Sequence, residues 1–344
     1  MKKQDKLITF VVPCYNSAEY MDVCIESLLK GGDRVEILVI NDGSKDATHD
    51  IGKSYEDKYP GIVRLIDQEN GGHGEGINHG LRLATGTYFK VVDSDDWLDE
   101  EGLPKVLRRL ELCEKRGGID MMICNYIYDH KFEPEKTRTI RYKNVFPQNG
   151  IFGWKQTKPF LPWQYLTLHS VIYRTETVRA CKVELPKHRS YEDNLFVYSP
   201  LPYVKRMCYM DVDLYHYFIG REGQSVSEEA LKRKCGDQIY VSERIFASYD
   251  TEAIMKKNKK LGRYMRHECT FMMAIATAFT RLNETDEAEQ QVRDMWKEIY
   301  IHDSKLAHGI RYGSYVLCIN LPGKLGRKIG LSLYHLCHKF VAFN

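Results

Sequence analysis

Tyr88-Phe89-Lys90-Val91-Val92-Asp93-Ser94-Asp95-Asp96-Trp97 decides how this chain is read. Its first half has the aromatic and β-branched composition of a buried strand, and its second half is a polar turn with three carboxylates. A strand that opens into an acidic turn suits a divalent cation, because Mg2+ and Mn2+ prefer carboxylate oxygen and keep positions open for phosphate. Asp93 and Asp95 therefore fit a metal-bound diphosphate. An isolated Asp-x-Asp is more often a solvated turn capping the next helix, since carboxylates favour helix N-termini. The neighbouring sequence decides between the two.

Upstream, one unit repeats. Leu7 to Val12 reads as a strand, and Met21, Cys24, Ile25, Leu28 and Leu29 follow at helical spacing, with Asn16 and Glu19 as a capping pair. Val35 to Ile40 is a second strand, Ala47, Ile51 and Tyr55 mark a helix face, Val63 to Ile66 is a third strand, and Ile77 to Ala84 is a helix ended by Gly86. Alternation of this length implies parallel pairing with right-handed crossovers. The expected class is α/β, a Rossmann-like, mostly parallel sheet with flanking helices.

In such a sheet the carboxyl ends of the strands share one side, and ligands bind outside them. What stands there is polar: Pro13-Cys14-Tyr15-Asn16, Asn41-Asp42-Gly43-Ser44, Asn70 to Gly76, and Asp93-Ser94-Asp95. Helix capping alone does not require four such loops on one rim. Glycine beside a helix N-terminus lets backbone N–H groups approach a phosphate, though the spacing is neither a P-loop nor G-x-G-x-x-G. Asn41-Asp42-Gly43-Ser44 also reads as a plain turn. Tyr15, just past a strand end, is placed either to stack on a base or to pack in the core.

Taken in order, Val11 to Asn16, Val39 to Asp46, Asn70-Gly71-Gly72 and Asp93 to Trp97 resemble the family 2 glycosyltransferases, inverting nucleotide-sugar enzymes of the GT-A fold. The resemblance covers the chain to about residue 100, and more loosely to Ser227. It implies that the loop with Pro13, Tyr15 and Asn16 holds a nucleobase, usually uracil, and that Asp42 accepts the imide N–H. It further implies that Asp93 and Ser94 contact the nucleotide sugar and that Asp95 carries Mn2+ or Mg2+. Many relatives have Ala-Arg-Asn in the helix after the third strand, where this chain has Gly76-Ile77-Asn78. That leaves His73, or backbone amides around Gly71, to meet the diphosphate. The implied donor is a UDP-sugar carrying a hexosyl or N-acetylhexosaminyl group, and the implied acceptor a glycan or lipid-linked sugar in surface polysaccharide assembly.

Ser190-Tyr191-Glu192-Asp193-Asn194-Leu195-Phe196 is the second chemically loaded stretch, two acids at the start of an apolar helix. Capping explains one of them. The resemblance assigns the other role, catalytic base, to Asp193 with Glu192 beside it. Inverting displacement needs such a carboxylate, because the acceptor hydroxyl must lose a proton as it attacks. Asp211 to Ile219 reads as a strand whose His216 either completes the metal shell or is structural, and Gly220 to Ser227 as a mobile loop with Arg221 able to close over a diphosphate. Phe152, Trp154, Phe160 and Trp163 are candidates for a sugar-stacking groove or for ordinary packing. A nucleotidyltransferase would need a basic Gly-rich loop soon after the first strand, where Cys14-Tyr15-Asn16-Ser17 stands. A non-catalytic sugar-nucleotide binder would bind without turnover.

The 344 residues, 43% hydrophobic, suffice for two domains and an appendage. The expected divisions are 1–100 for the nucleotide-sugar half, 101–227 for the acceptor and catalytic half, and 228–344 for a helical C-terminal extension. A net charge of +3 gives no argument for nucleic acid, and ten cysteines without Cys-x-x-Cys spacing read as buried thiols of a reducing compartment. The apolar run Leu7 to Val12 is too short for a signal peptide or a membrane span, which points to the cytoplasm. From Gly323, Lys324, Arg327, Lys328, His335, His338 and Lys339 interleave with Leu325, Ile329, Leu333, Leu336 and Phe340. Such a basic amphipathic stretch suits peripheral contact with an anionic bilayer, or packing on the helices before it. Oligomeric state and the identity of the donor sugar have no signature here.

Overall fold

The computed structural model describes residues 6–148, 150–220, 228–313 and 315–341, with side chains to residue 336. The chain divides into two units, Met1–Lys158 with Leu166–Arg221, and Pro159–Tyr165 with Glu222–Asn344. From Arg221 on, the expected closing loop lies outside the described residues, as do the side chains of His338, Lys339 and Phe340.

The first unit runs β1 (Ile8–Cys14), α1 (Met21–Leu29), β2 (Val35–Asn41), α2 (Thr48–Lys58), β3 (Val63–Asp67), α3 (His73–Leu83), β4 (Tyr88–Val91), β5 (Trp97–Leu98), α4 (Gly102–Glu114) and β6 (Met121–Asp129). It continues with β7 (Arg138–Ile140), β8 (Ile151–Phe152), β9 (Val171–Arg174), α5 (Thr175–Cys181), α6 (Asp193–Tyr198) and β10 (Met207–Phe218). The strands lie in the order β3-β2-β1-β4-β9-β6-β10-β5, with β7 on β6 and β8 on β10. Every residue of β1 and β2 is buried, as strands covered on both faces by crossover helices must be. The pairs β3-β2, β2-β1 and β1-β4 are parallel, as the alternation implies. The chain leads from β1 to β2 and β3 on one side and returns to place β4 on the other, so the strand order switches between β1 and β4, the point where open α/β sheets take their ligands.

The second half is mixed. β9, four residues long, runs antiparallel between β4 and β6, whereas β6 and β10 are parallel. β5 pairs antiparallel with Tyr215 and His216, which ties the end of the acidic turn to β10.

Two local expectations give way. α1 begins after Tyr20 without a side-chain cap, so Asn16 and Glu19 do not form a capping pair. Asn16 instead takes a left-handed conformation (φ 50°), which asparagine tolerates, and turns toward the loop after β2. The glycine run is helical, since α3 starts at His73 rather than Ile77. Its glycines are there for close packing: a Cβ on Gly80 would lie 2.4 Å from Val11 Cγ1, and one on Gly76 would lie 3.1 Å from Pro13 Cβ. α3 thereby lies flat on β1.

Phe152 and Trp154 take the packing alternative. Both are buried, and Trp154 Nε1 donates to the Val204 carbonyl at 3.0 Å.

The second unit contains α7 (Glu228–Arg233), α8 (Cys235–Ser248), α9 (Thr251–Lys257), α10 (Lys259–Arg281), α11 (Asp286–His302), α12 (Ser304–Tyr312), α13 (Val316–Ile319) and α14 (Gly323–Val341). Its axis is α10, whose Met265, Cys269, Met272 and Ala276 are buried as their spacing predicts. Pro159–Tyr165 belongs to this unit through Phe160 stacked on Tyr264 at 4.3 Å and Tyr165 against Phe271 at 4.4 Å. No helix among the described residues is long and apolar enough to cross a membrane.

Candidate active site

The strand ends of the first unit are laced together by side-chain to backbone bonds. After β1, Tyr15 is exposed, while the Asn16 N–H donates to Ser44 Oγ at 3.0 Å and Asn16 Oδ1 accepts from the Lys45 N–H at 2.8 Å. Ser17 is buried, its hydroxyl 2.8 Å from that of Ser94 and its N–H donating to Thr48 Oγ1. The loops after β1, β2 and β4 are therefore bonded to one another through Asn16, Ser17, Ser44 and Ser94, while Pro13 and Asp42 at the same strand ends are buried. Ser17 was legible only as the residue after Asn16.

Asp42, at the end of β2, is almost completely buried. Its Oδ1 accepts from the Gly71 N–H at 2.8 Å and from Gln68 Nε2 at 2.7 Å, and its Oδ2 accepts from the Gly72 N–H at 2.8 Å. The amides proposed to cradle a phosphate are thus held by the chain's own carboxylate. Three of about four acceptor positions on Asp42 are engaged, so it shapes the turn into α3.

His73 opens α3 and spans two acidic turns. Its Nε2 lies 2.9 Å from Asp93 Oδ1 and its Nδ1 2.7 Å from Glu192 Oε1. Burial opposes charge on this ring, but Asp93 and Glu192 hold its pKa well above the ordinary histidine value, so both nitrogens donate. Asp93 is likewise penalised by burial, yet His73 keeps its carboxyl below the usual range. The ring is therefore bonded to protein on both sides.

The acidic turn is fastened to β10. Tyr215 Oη accepts from the Asp93 N–H at 3.1 Å and donates to Asp96 Oδ2 at 2.6 Å, while Asp96 Oδ1 accepts from the Phe218 N–H at 2.8 Å. Burial, then the charges of Asp95 and Asp93, push the fully buried Asp96 well above the usual carboxylate value. Lys90 beneath the turn donates to the carbonyls of Leu168, His169 and Val171, and burial lowers its pKa to about 7. It pins the segment that carries His169.

Asp93, Asp96 and His169 offer ligand atoms all within 4.8 Å of one another. Burial pushes His169 down to about 4, so its imidazole is neutral, and its buried Nδ1 has no hydrogen-bond partner. A neutral imidazole beside carboxylates is donor chemistry for a divalent cation, and the residues present fit one. His216 sits differently: its Nδ1 is 2.8 Å from Asp129 Oδ2 and its ring stacks on Trp97. His169 comes from a four-residue-strand neighbourhood with no motif, which is why spacing did not single it out.

Across the crevice, Asp193 is the first residue of α6, and Glu192 before it is buried. Burial, then the neighbouring Glu192 charge, pushes the Asp193 carboxyl up to about 7. A carboxylate whose pKa sits near neutrality is matched to general-base work.

Residues 9–174 match the model of "Glycosyl transferase family 2". EpsH of Bacillus subtilis (strain 168), which carries a glycosyltransferase name, is 26% identical over 80% of this chain and 77% of its own length. YibD of Escherichia coli (strain K12), an uncharacterised glycosyltransferase, is 26% identical over 64% of this chain and 63% of its own length. Among solved structures, TarS residues 1–349 of S. aureus, in complex with UDP-GlcNAc, superposes with a TM-score of 0.68 at 20% identity, covering 96% of this chain and 92% of that one. The mannosyltransferase PcManGT of Pyrobaculum calidifontis, in complex with GDP-Man and Mn2+, shares the fold with a TM-score of 0.53 at 12% identity, over 98% and 87%. The ordered rim motifs, the sheet order and these likenesses agree, and the chain carries a family 2 glycosyltransferase domain on a GT-A fold.

Proposed function

We propose that the protein transfers a hexosyl or N-acetylhexosaminyl group from a UDP-sugar, with inversion, to a glycan or lipid-linked acceptor in surface polysaccharide assembly at the inner face of the cell membrane. The observation that carries this reading is the Asp93–His73–Glu192 chain, which brings the acidic turn and the base turn within one imidazole's span. One side of the crevice then holds a donor and the other receives a nucleophile.

In this reading Tyr15 covers the base, Asp42 accepts from its imide with the acceptor position left beside its glycine bonds, and Ser94 with Asp93 meets the ribose. Asp93, Asp96 and His169, whose ligand atoms cluster, are the groups that would hold Mn2+ or Mg2+, with Asp95 of the same acidic turn as the motif's own candidate. A bound divalent cation supplies charge neutralisation for the departing diphosphate. Asp193 takes the proton of the acceptor hydroxyl as that oxygen attacks the anomeric carbon from the face opposite the leaving group. His73 bonds the Asp93 and Glu192 carboxylates and fixes the distance between the two turns. UDP-GlcNAc on TarS supports a uridine donor, and the Mn2+ bound to the mannosyltransferase supports the cation.

The test is to supply UDP-sugars with Mn2+ and acceptor and to measure UDP, pyrophosphate or neither. UDP release upholds the reading, pyrophosphate marks a nucleotidyltransferase, and binding without product marks a sensor.

A further inference from the structure

α14 has two faces of opposite use. Gly326, Gly330 and Leu331 are buried, and the Tyr334 ring meets Phe279 of α10 edge-on at 6.2 Å. A Cβ on Gly326 would lie 2.6 Å from the Leu321 backbone and one on Gly330 3.2 Å from Cys318 O, so this side is pressed onto the segment before it. The outer side carries Leu325 (73% exposed), Ile329 (42%), Leu333 (37%) and Leu336 (52%). At the helical advance of about 100° per residue these four span about 80°, one continuous apolar stripe. The exposed Lys324, Lys328 and His335 form a second strip about 60° to 100° beyond one edge of it.

Charge is distributed to match. Residues 304–344 contain six Lys and Arg and no Asp or Glu, whereas the whole chain has 50 and 47, so the rest of the chain is net acidic. Four adjacent large apolar side chains in water are unfavourable unless something covers them. A basic strip bordering the stripe selects a cover that is apolar within and anionic at its surface. The helix is not apolar enough to cross a bilayer. We propose that α14 lies in the interface of an anionic lipid bilayer, with Leu325, Ile329, Leu333 and Leu336 among the acyl chains and Lys324 and Lys328 at the phosphate level. The inference stands on the second unit alone and does not depend on the donor chemistry.

The experiment is sedimentation of the full chain with vesicles of phosphatidylcholine, with and without phosphatidylglycerol. Wild-type protein is expected to sediment with the anionic vesicles and to stay in solution with the neutral ones. Lys324→Ala/Lys328→Ala should weaken the anionic partition about 25-fold, from about fivefold per basic residue. Leu325→Ser/Ile329→Ser/Leu333→Ser, all at exposed positions, should abolish it. UDP release from a soluble donor should be unchanged in both variants. Equal partition on neutral and anionic vesicles overturns the proposal, and so does wild-type partition by the serine variant. A soluble dimer that the serine variant splits, with no vesicle binding, overturns it in favour of a second copy of the chain.

Discussion

Asp42 and Asp93 on one side of the site and Asp193 on the other are held in opposite ways. On the donor side Asp42 is closed by two backbone amides and a glutamine, and Asp93 by an imidazolium. On the acceptor side Asp193 has been raised to about 7 by burial and by the charge of Glu192. Hydrogen bonds to a carboxylate favour its ionised form, and burial beside a like charge disfavours it. In the proposed reaction the same residue type is thus fixed scaffold at one end and proton acceptor at the other.

The sharpest way to break that contrast is Asp193→Asn. It should lower kcat by about 10²- to 10⁴-fold while leaving UDP-sugar affinity, read by calorimetry, nearly unchanged. A variant that keeps more than a few per cent of wild-type rate removes Asp193 from the role. The wild type should also show kcat/KM rising about tenfold per pH unit below an inflection near 7, because only the ionised carboxylate accepts a proton. Stability should move the other way. An Asp with a raised folded pKa costs stability once pH exceeds its unfolded value near 4, and the cost grows until about 7. Asp193→Asn should therefore raise Tm at neutral pH and leave it unchanged at pH 3, a comparison made by calorimetric melting.

At the other end, Asp42→Ala should act on folding and donor binding rather than on the proton. It orphans the Gly71 and Gly72 amides and Gln68, and unsatisfied buried groups cost about 1–3 kcal/mol each. A loss of roughly 2–4 kcal/mol in chemical denaturation is expected, with a raised donor KM and an unshifted pH inflection. A pH inflection that moves with this variant would mean the two ends are not separate devices.

How much of this was visible in the residues themselves follows from the same contrast. The donor side is built from one repeated strand-turn-helix unit, so the period of the pattern and the turn chemistry reveal each piece, although the bonds joining its loops, Asn16 to Ser44 and Ser17 to Ser94, span 28 and 77 positions. The acceptor side is assembled at long range. His73 and Glu192 are 119 positions apart, and His169 reaches the acidic turn only because β9 is inserted antiparallel beside β4 and Lys90 holds the segment before it. No periodicity encodes such a strand of four residues. The glycine run misled for a different reason, since glycine chosen for close packing, as Gly76 is against Pro13, is indistinguishable in sequence from glycine chosen for a loop.

His73→Gln tests the link between the ends. Glutamine is uncharged and cannot donate to Asp93 and Glu192 in the same geometry, and charge-assisted bonds contribute about 1.5–3 kcal/mol each. A fall in kcat of about tenfold to a hundredfold is expected, larger than the change in KM, because the distance between donor and base is loosened. His73→Ala with added imidazole should recover part of it. An unchanged kcat would show that the two turns are held by their own loops.

Tyr215→Phe is the mildest probe and the most discriminating. Its hydroxyl joins the Asp93 N–H to Asp96 on the donor side and touches nothing of the base turn. Removing it should cost about 1 kcal/mol and raise the donor KM a few-fold, with kcat at saturating donor and the inflection near 7 both retained. The acidic turn stays fastened through the Phe218 N–H to Asp96 and through β5 on β10, so the loss is partial. If kcat falls with KM unchanged, the hydroxyl is felt across the crevice, and the division of labour between scaffold carboxylates and proton-accepting carboxylate must be redrawn through β10.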